Sequence, residues 1–306
     1  VAEQHELIDT ARTVLAMLHR ETDPVTHAGA VELFDMGRGL RIALFSLDMA
    51  HRLPFDSYVG FMAFRNGVPL AYGGAWIFPG RSKVGINIFA ALRGGESAWF
   101  FAQLLRLYRQ RYGVDRFEAE NYQLGHHNPD GLKSGAYWFY YRLGFRPVGR
   151  KDQLIAAREF RKLGAVKGYR VPVKVLKHLV EHGLELVITE GAQAVMDTAA
   201  LTMAVQRHVV VRYTGDRRGA LRSALARLGR TLPLGDLVEW SSNERSALYL
   251  WALPLDMIPD LEQWSGSEQR QLVGLIKAKG GRTETGLQVR SPSATRLLGS
   301  WAKCVL

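Results

Sequence analysis

Cysteine is almost absent from this chain. The single Cys304 excludes an intrachain disulfide and any cysteine-cluster metal site. No apolar run is long enough to cross a bilayer, so no membrane span is expected. No basic-then-apolar leader opens the sequence, and a reducing, cytoplasmic setting is the expectation that follows. Internal repeats and low-complexity tracts are also missing, which excludes solenoid and disordered classes. Acids are scarce between Leu201 and Arg230. There, Arg207, Arg212, Arg217, Arg218, Arg222, Arg227 and Arg230 are set against Asp216 alone.

A length of 306 residues predicts about two domains, and 47% apolar residues suffice for a buried core. The net charge of +11 favours anionic partners or, more simply, a solvated basic surface.

Apolar spacing predicts a helix over 1–22 and a second helical region over 27–52, with Gly37 and Gly39 splitting the latter. From Ser57 the period changes to two. SYVGFMAFR, VPLAYGGAWIF and KVGINIFA read as three antiparallel strands, the first pair joined at Asn66-Gly67, where both residues tolerate positive φ. A helix follows Gly94-Gly95, with Phe101, Leu104, Leu105 and Tyr108 on one face and Gly113 as its stop. RFEAENY alternates as a strand, SGAYWFYYRLG is a short helix, and FRPVG is a terminal strand. Beyond Lys151 helices dominate, over roughly 152–164, 172–183, 192–208, 216–229, 242–252 and 266–279. Ser241 with Glu244, and Ser265 with Glu268, fit capping boxes. Leu184–Ile188 reads as either a strand or part of a helix. The expected fold class is α+β: a mixed sheet flanked by helices over 1–150, then a mainly helical domain over 151–306. The boundary falls near 150 or in the 164–172 connection.

Two motifs carry a resemblance. Arg93-Gly94-Gly95-Glu96-Ser97-Ala98, preceded by the strand INIF, resembles the Arg/Gln-x-x-Gly-x-Gly/Ala loop of the GNAT superfamily of N-acetyltransferases. Ala136-Tyr137-Trp138-Phe139-Tyr140-Tyr141-Arg142-Leu143-Gly144-Phe145 is similar to that family's Ala-x-x-Phe-Tyr-x-x-x-Gly-Phe helix and turn. The resemblance covers roughly residues 5–150. It implies a GNAT-like fold and direct transfer of an acyl group, acetyl above all, from acetyl-CoA or another acyl-CoA to an amine, without a metal. It further implies that strand amides near Ile88 and Phe89 bind the acyl carbonyl and pantetheine. Arg93, Gly94, Gly95, Ser97 and Ala98 would hold the pyrophosphate, and Tyr140 would protonate the leaving thiolate. The proton acceptor varies within the family. Glu118 and Glu120, which share one strand face, and the loop pair His126-His127 are the candidates.

Other readings of these residues stand beside the resemblance. Tyr140 sits in the stripe Ala136, Phe139, Leu143 and reads equally as a packed core tyrosine. Glu118 and Glu120 also suit the solvent face of an edge strand, and His126-His127 a surface loop. Glu96 stands where the family loop has its central glycine. A carboxylate there is repelled by a pyrophosphate unless it turns away or pairs with a cation. The alternative to an enzyme is a non-catalytic module whose basic stretch Arg207–Arg230 binds nucleic acid or a protein. A third reading keeps catalysis, with aminoacyl-tRNA or an acyl-carrier protein as donor. Trp240, Trp251, Trp264 and Trp301 read as core anchors.

Overall fold

A computed structural model of the chain describes residues 2–89, 94–189 and 197–305. α1 (Ala2–Met17) and the single turn α2 (Asp23–Thr26) lead into strands β1 (Ala28–Gly37), β2 (Leu40–Leu47), β3 (Ser57–Arg65), β4 (Val68–Phe78) and β5 (Arg81–Ile88). α3 (Ser97–Tyr112) crosses to β6 (Arg116–Ala119). α4 (Asn121–Leu124), α5 (Pro129–Ser134) and α6 (Ala136–Arg142) precede a two-residue strand, β7 (Arg146–Pro147). α7 (Arg150–Ala165) and α8 (Val173–Leu179) lead to β8 (Leu184–Val187). The rest is helical: α9 (Thr198–Tyr213), α10 (Arg217–Thr231), α11 (Ser242–Asp256), α12 (Gly266–Lys279), α13 (Thr285–Arg290) and α14 (Thr295–Val305). The chain is therefore α+β, with one mixed sheet flanked by helices and a helical C-terminal part.

The chain divides into two compact units. The first comprises Val1–Thr26, Val31–Phe45 and Val59–Ala192. The second comprises His27–Ala30, Ser46–Tyr58 and Gln193–Leu306. The expected boundary at 150 lies inside the first unit, at the start of α7, because β8 returns to the sheet. The strand order is β1-β2-β3-β4-β5-β6-β8-β7, so β8 settles the ambiguity at Leu184 as a strand lying between β6 and β7.

The helix expected over 27–52 is a strand pair instead. Leu40, Leu44 and Leu47 carry helical spacing, but Leu40, Ile42 and Leu44 also alternate, and all three are fully buried. Gly37, Arg38 and Gly39 take φ of 80°, 53° and 74°, which no α-helix accommodates and a tight hairpin requires. The turn at Asn66-Gly67 has the expected positive pair, 50° and 84°. RFEAENY stays extended only to Ala119. Glu120 then precedes the short α4 without a capping side-chain bond, and Asn128 caps α5 through its side chain, with Pro129 in the first turn.

The core of the first unit forms where α3 and α6 meet the sheet. α3 buries Phe100, Phe101, Leu104, Leu105 and Tyr108. These pack in one cluster with Phe61, Ile77 and Phe117 of the strands and with Tyr137, Tyr140 and Phe145.

In the second unit both capping boxes form, at Ser241 and at Ser265. All four of its tryptophans are buried, and three donate indole N–H bonds to carbonyls: Trp240 to Leu234 (3.0 Å), Trp251 to Pro54 (2.7 Å) and Trp301 to Pro254 (3.1 Å). Arg227 is drawn inward from the basic stretch. Its guanidinium donates to Glu262 at 2.6 and 2.9 Å and to the Ile258 carbonyl at 2.8 Å. That bonding holds the Glu262 carboxyl down at about 2, against an ordinary 4.5. A folded-state value below the unfolded one means stability that is present above pH 4.5 and lost as pH falls toward 2. The stability gap between wild type and Glu262→Gln should therefore shrink across that window, as read by urea unfolding at stepped pH.

Candidate functional site

Two parallel strands joined by α3 define the site. The ladder between β5 and β6 runs only over Arg81–Lys83 against Arg116–Glu118. β5 continues for five further residues beside β4, where Ala71 faces Ile88. From Val84 onward the β6-facing side of β5 thus lies beyond the ladder. Phe89 donates its N–H to the Leu70 carbonyl (3.1 Å), so of the two strand amides expected to bind an acyl group, that of Phe89 is committed to β4. Antiparallel alternation then turns the backbone of Ile86 and Ile88 the other way, toward β6.

The turn before α3 opens beside this strand end. Gly94 donates its N–H to Ser97 Oγ (3.3 Å), and Ser97 donates to the Gly94 carbonyl (3.0 Å). Neither Gly94 nor Gly95 takes a positive φ, and a Cβ on either would meet nothing within 4 Å. The backbone is therefore bare on that side. Among the described residues no side chain caps α3, which leaves the positive helix end at Ala98 open to an anion. The carboxylate of Glu96 accepts from Arg65 Nη2 at 3.2 Å, so its charge is paired with a cation of the chain itself. Arg65 Nη1 is buried without a partner among the described residues, which leaves a spare donor beside the turn. This donor set fits a pyrophosphate. Arg93 lies outside the described residues.

The other face of β5, β6 and β8 carries charges in cross-strand pairs. Arg81 meets Glu118 at 3.0 Å, Lys83 meets Glu120 at 3.1 Å, and Arg116 meets Glu185 at 3.5 Å. Glu118 and Glu185 are direct register partners. Burial raises the Glu185 pKa, Arg116 pulls it back and Glu118 adds to the rise. A cleft of about 510 Å³ is lined in part by Lys83, Glu118, Glu120, Asp152, His182 and Glu185, so that acids outnumber bases among its titratable residues. Asp152 also accepts from His178 Nε2 at 2.9 Å. The structure thus brings together Glu118 and Glu120, and it adds Glu185 and Asp152, which sequence reasoning missed. The signal for Glu185 is register alone: only the strand reading of Leu184–Ile188 puts it opposite Glu118.

Tyr140 sits elsewhere. It is 2% exposed and edge-on to Phe101 (5.4 Å) and Phe145 (5.3 Å), and it does not line the acidic cleft. Its hydroxyl is buried without a partner among the described residues, and burial raises its pKa. A phenol so placed resists becoming tyrosinate. His126 and His127 stack edge to face on each other at 4.1 Å and do not line the cleft either. In the second unit His27, Asp48 and His51 cluster. Their rings stack at 3.7 Å and 17°, so two in-plane lone pairs cannot converge on one ion at the usual 2.0–2.1 Å. Of the basic stretch, Arg207, Arg212, Arg217, Arg218, Arg222 and Arg230 are exposed and Arg227 is not. Among the described residues no helix is long and apolar enough to cross a membrane.

No family model, no curated protein and no solved structure matches this chain.

Proposed function

We propose that the first unit is a GNAT-type N-acyltransferase that moves an acyl group, acetyl above all, from acyl-CoA to a cationic amine. The observation that carries the reading is the end of the β5–β6 ladder at Lys83, past which β5 runs on unpaired by β6, together with the open glycine turn before α3 and a cleft on the charged face that four acids help to line. The amides of Gly95, Glu96 and Ala98, which the turn does not spend on itself, and the guanidinium of Arg65 hold the pyrophosphate, with Glu96 already paired. Glu118 and Glu120 attract the ammonium group of the acceptor. Glu185, the carboxylate whose proton affinity is raised, takes the proton that the amine must lose before its nitrogen attacks. The new C–N bond forms as the C–S bond breaks, and solvent protonates the departing thiolate. Positioning of the two substrates supplies the rest. Tyr140 has no step in this scheme, so Tyr140→Phe should leave the rate unchanged.

Calorimetric titration of acetyl-CoA and CoA tests the reading. Wild type should bind both at micromolar to millimolar concentration. Gly95→Glu should lose about ten-fold or more, since a second carboxylate at the helix start repels the phosphates without an Arg65 to neutralise it. Absence of binding to either at millimolar concentration sinks the proposal.

A further inference from the structure

We infer that the second unit carries a ligand site of its own, for a small apolar carboxylate. The inference is independent of the acyltransferase reading. A pocket of about 430 Å³ opens between α9, α10, α11 and the segment Met49–Phe55. That volume lies in the range of about 300–1,000 Å³ usual for small-molecule sites. Its floor is apolar: Phe55, Val205 and Leu253 are each buried, and Leu221 and Leu250 extend the same wall. No acid lines it.

Two cations do, and they differ. Arg52 is buried and spent, its guanidinium donating to the carbonyls of Leu47 (3.2 Å), Arg282 (3.0 Å) and Lys279. Arg217 is exposed and has no side-chain partner among the described residues. Ten residues on, in the same helix, Arg227 is held by Glu262, while Arg218, Arg222 and Arg230 are exposed like Arg217; what sets Arg217 apart from them is its place on the lining of the pocket. The neighbouring acid, Asp216, is turned onto the Gly219 amide (2.9 Å) as the helix cap. Arg217 opens α10, where the helix end adds positive potential. Tyr249, 55% exposed, stands with it at the rim. An apolar recess with one free guanidinium at its mouth and no carboxylate selects a molecule with an apolar body and one carboxylate. An amine with the same body finds no counter-charge, and an alcohol leaves Arg217 unused.

The test uses the full chain and decanoate below its micellar concentration, titrated by calorimetry, with decanol and decylamine as tail-matched controls. Decanoate should bind one to one and more tightly than either control. Arg217→Glu, which suits a first helical position and leaves the fold intact, should weaken decanoate about ten-fold or more and improve decylamine. Leu221→Trp, which fills the recess, should abolish binding. The inference is overturned by no decanoate binding at millimolar concentration, by equal affinity for decylamine, or by an Arg217→Glu variant that binds as well as wild type.

Discussion

Glu284→Gln should cost the second unit about 3–5 kcal/mol at neutral pH, the usual effect of stripping one partner from a buried ion pair. Glu284 and Lys279 are fully buried and bonded to each other. Arg52, also buried, interacts with the same carboxylate. Glu284 is thus one anion set between two desolvated cations. Its removal takes the larger compensating charge from each, leaving Arg52 only Asp48 and Lys279 only Asp56 among the described residues. Removal of Lys279 leaves Glu284 with Arg52, so Lys279→Met should be the milder change. The double variant Lys279→Met with Glu284→Leu should recover most of the loss, since packed apolar side chains replace buried ions at little cost. The order to be seen in urea unfolding by tryptophan fluorescence is Glu284→Gln worst, Lys279→Met next, and the double variant nearest wild type.

The same variant has a pH signature. Burial lowers the Lys279 pKa below its ordinary 10.5, and Glu284 is what holds it up. A lysine depressed in the folded state binds its proton less tightly there than in the unfolded chain. Between the folded value and 10.5 the unfolded chain holds more protons, so stability rises with pH. Without Glu284 that window widens downward. The damage done by Glu284→Gln should therefore shrink as pH climbs from 7 toward 10. Equal damage at both ends would show that Lys279 is not the charge left exposed.

This network also marks the limit of what the sequence discloses. Local features were legible because their causes are local. Asn66-Gly67 sets its own hairpin through positive φ, and Ser241 with Glu244 closes its own capping box. The aromatic helix at Ala136–Arg142 and the crossover helix ending at Gly113 also follow from residues within a few positions. The stretch 27–52 failed on the same ground. Its leucines satisfy two periods at once, and only the sheet neighbour of β2 decides between them. Arg52 reaches the Lys279 and Arg282 carbonyls across more than two hundred residues, and no spacing rule connects those positions. The insertion of β8 between β6 and β7 is equally non-local, and with it the division of the chain, the cleft and Glu185. The reading of Glu118 and Glu120 as a shared face needed only alternation. Finding their partner needed the register.

Glu185→Gln is the sharpest probe of the proposed chemistry. A positioned general base is worth about 10²–10⁴-fold in rate, so kcat/KM for acyl transfer should fall by that order. Gln keeps the shape and its bonding to Arg116 in part, while removing the proton acceptor. Acetyl-CoA affinity should stay as in wild type, because the carboxylate lies on the cleft side and not at the glycine turn. The pH profile separates base from mere acid. In wild type, kcat/KM should rise through a Glu185 pKa lifted by burial and by the facing Glu118, and Glu118→Gln should move that limb to lower pH. Glu120→Gln, whose carboxylate is half exposed and paired with Lys83, should instead raise KM for a diamine and leave kcat near its starting value. A Glu185→Gln enzyme with unchanged kcat/KM removes Glu185 from the mechanism and returns the role to Glu118, the one other carboxylate on that ladder with most of its surface withdrawn from water.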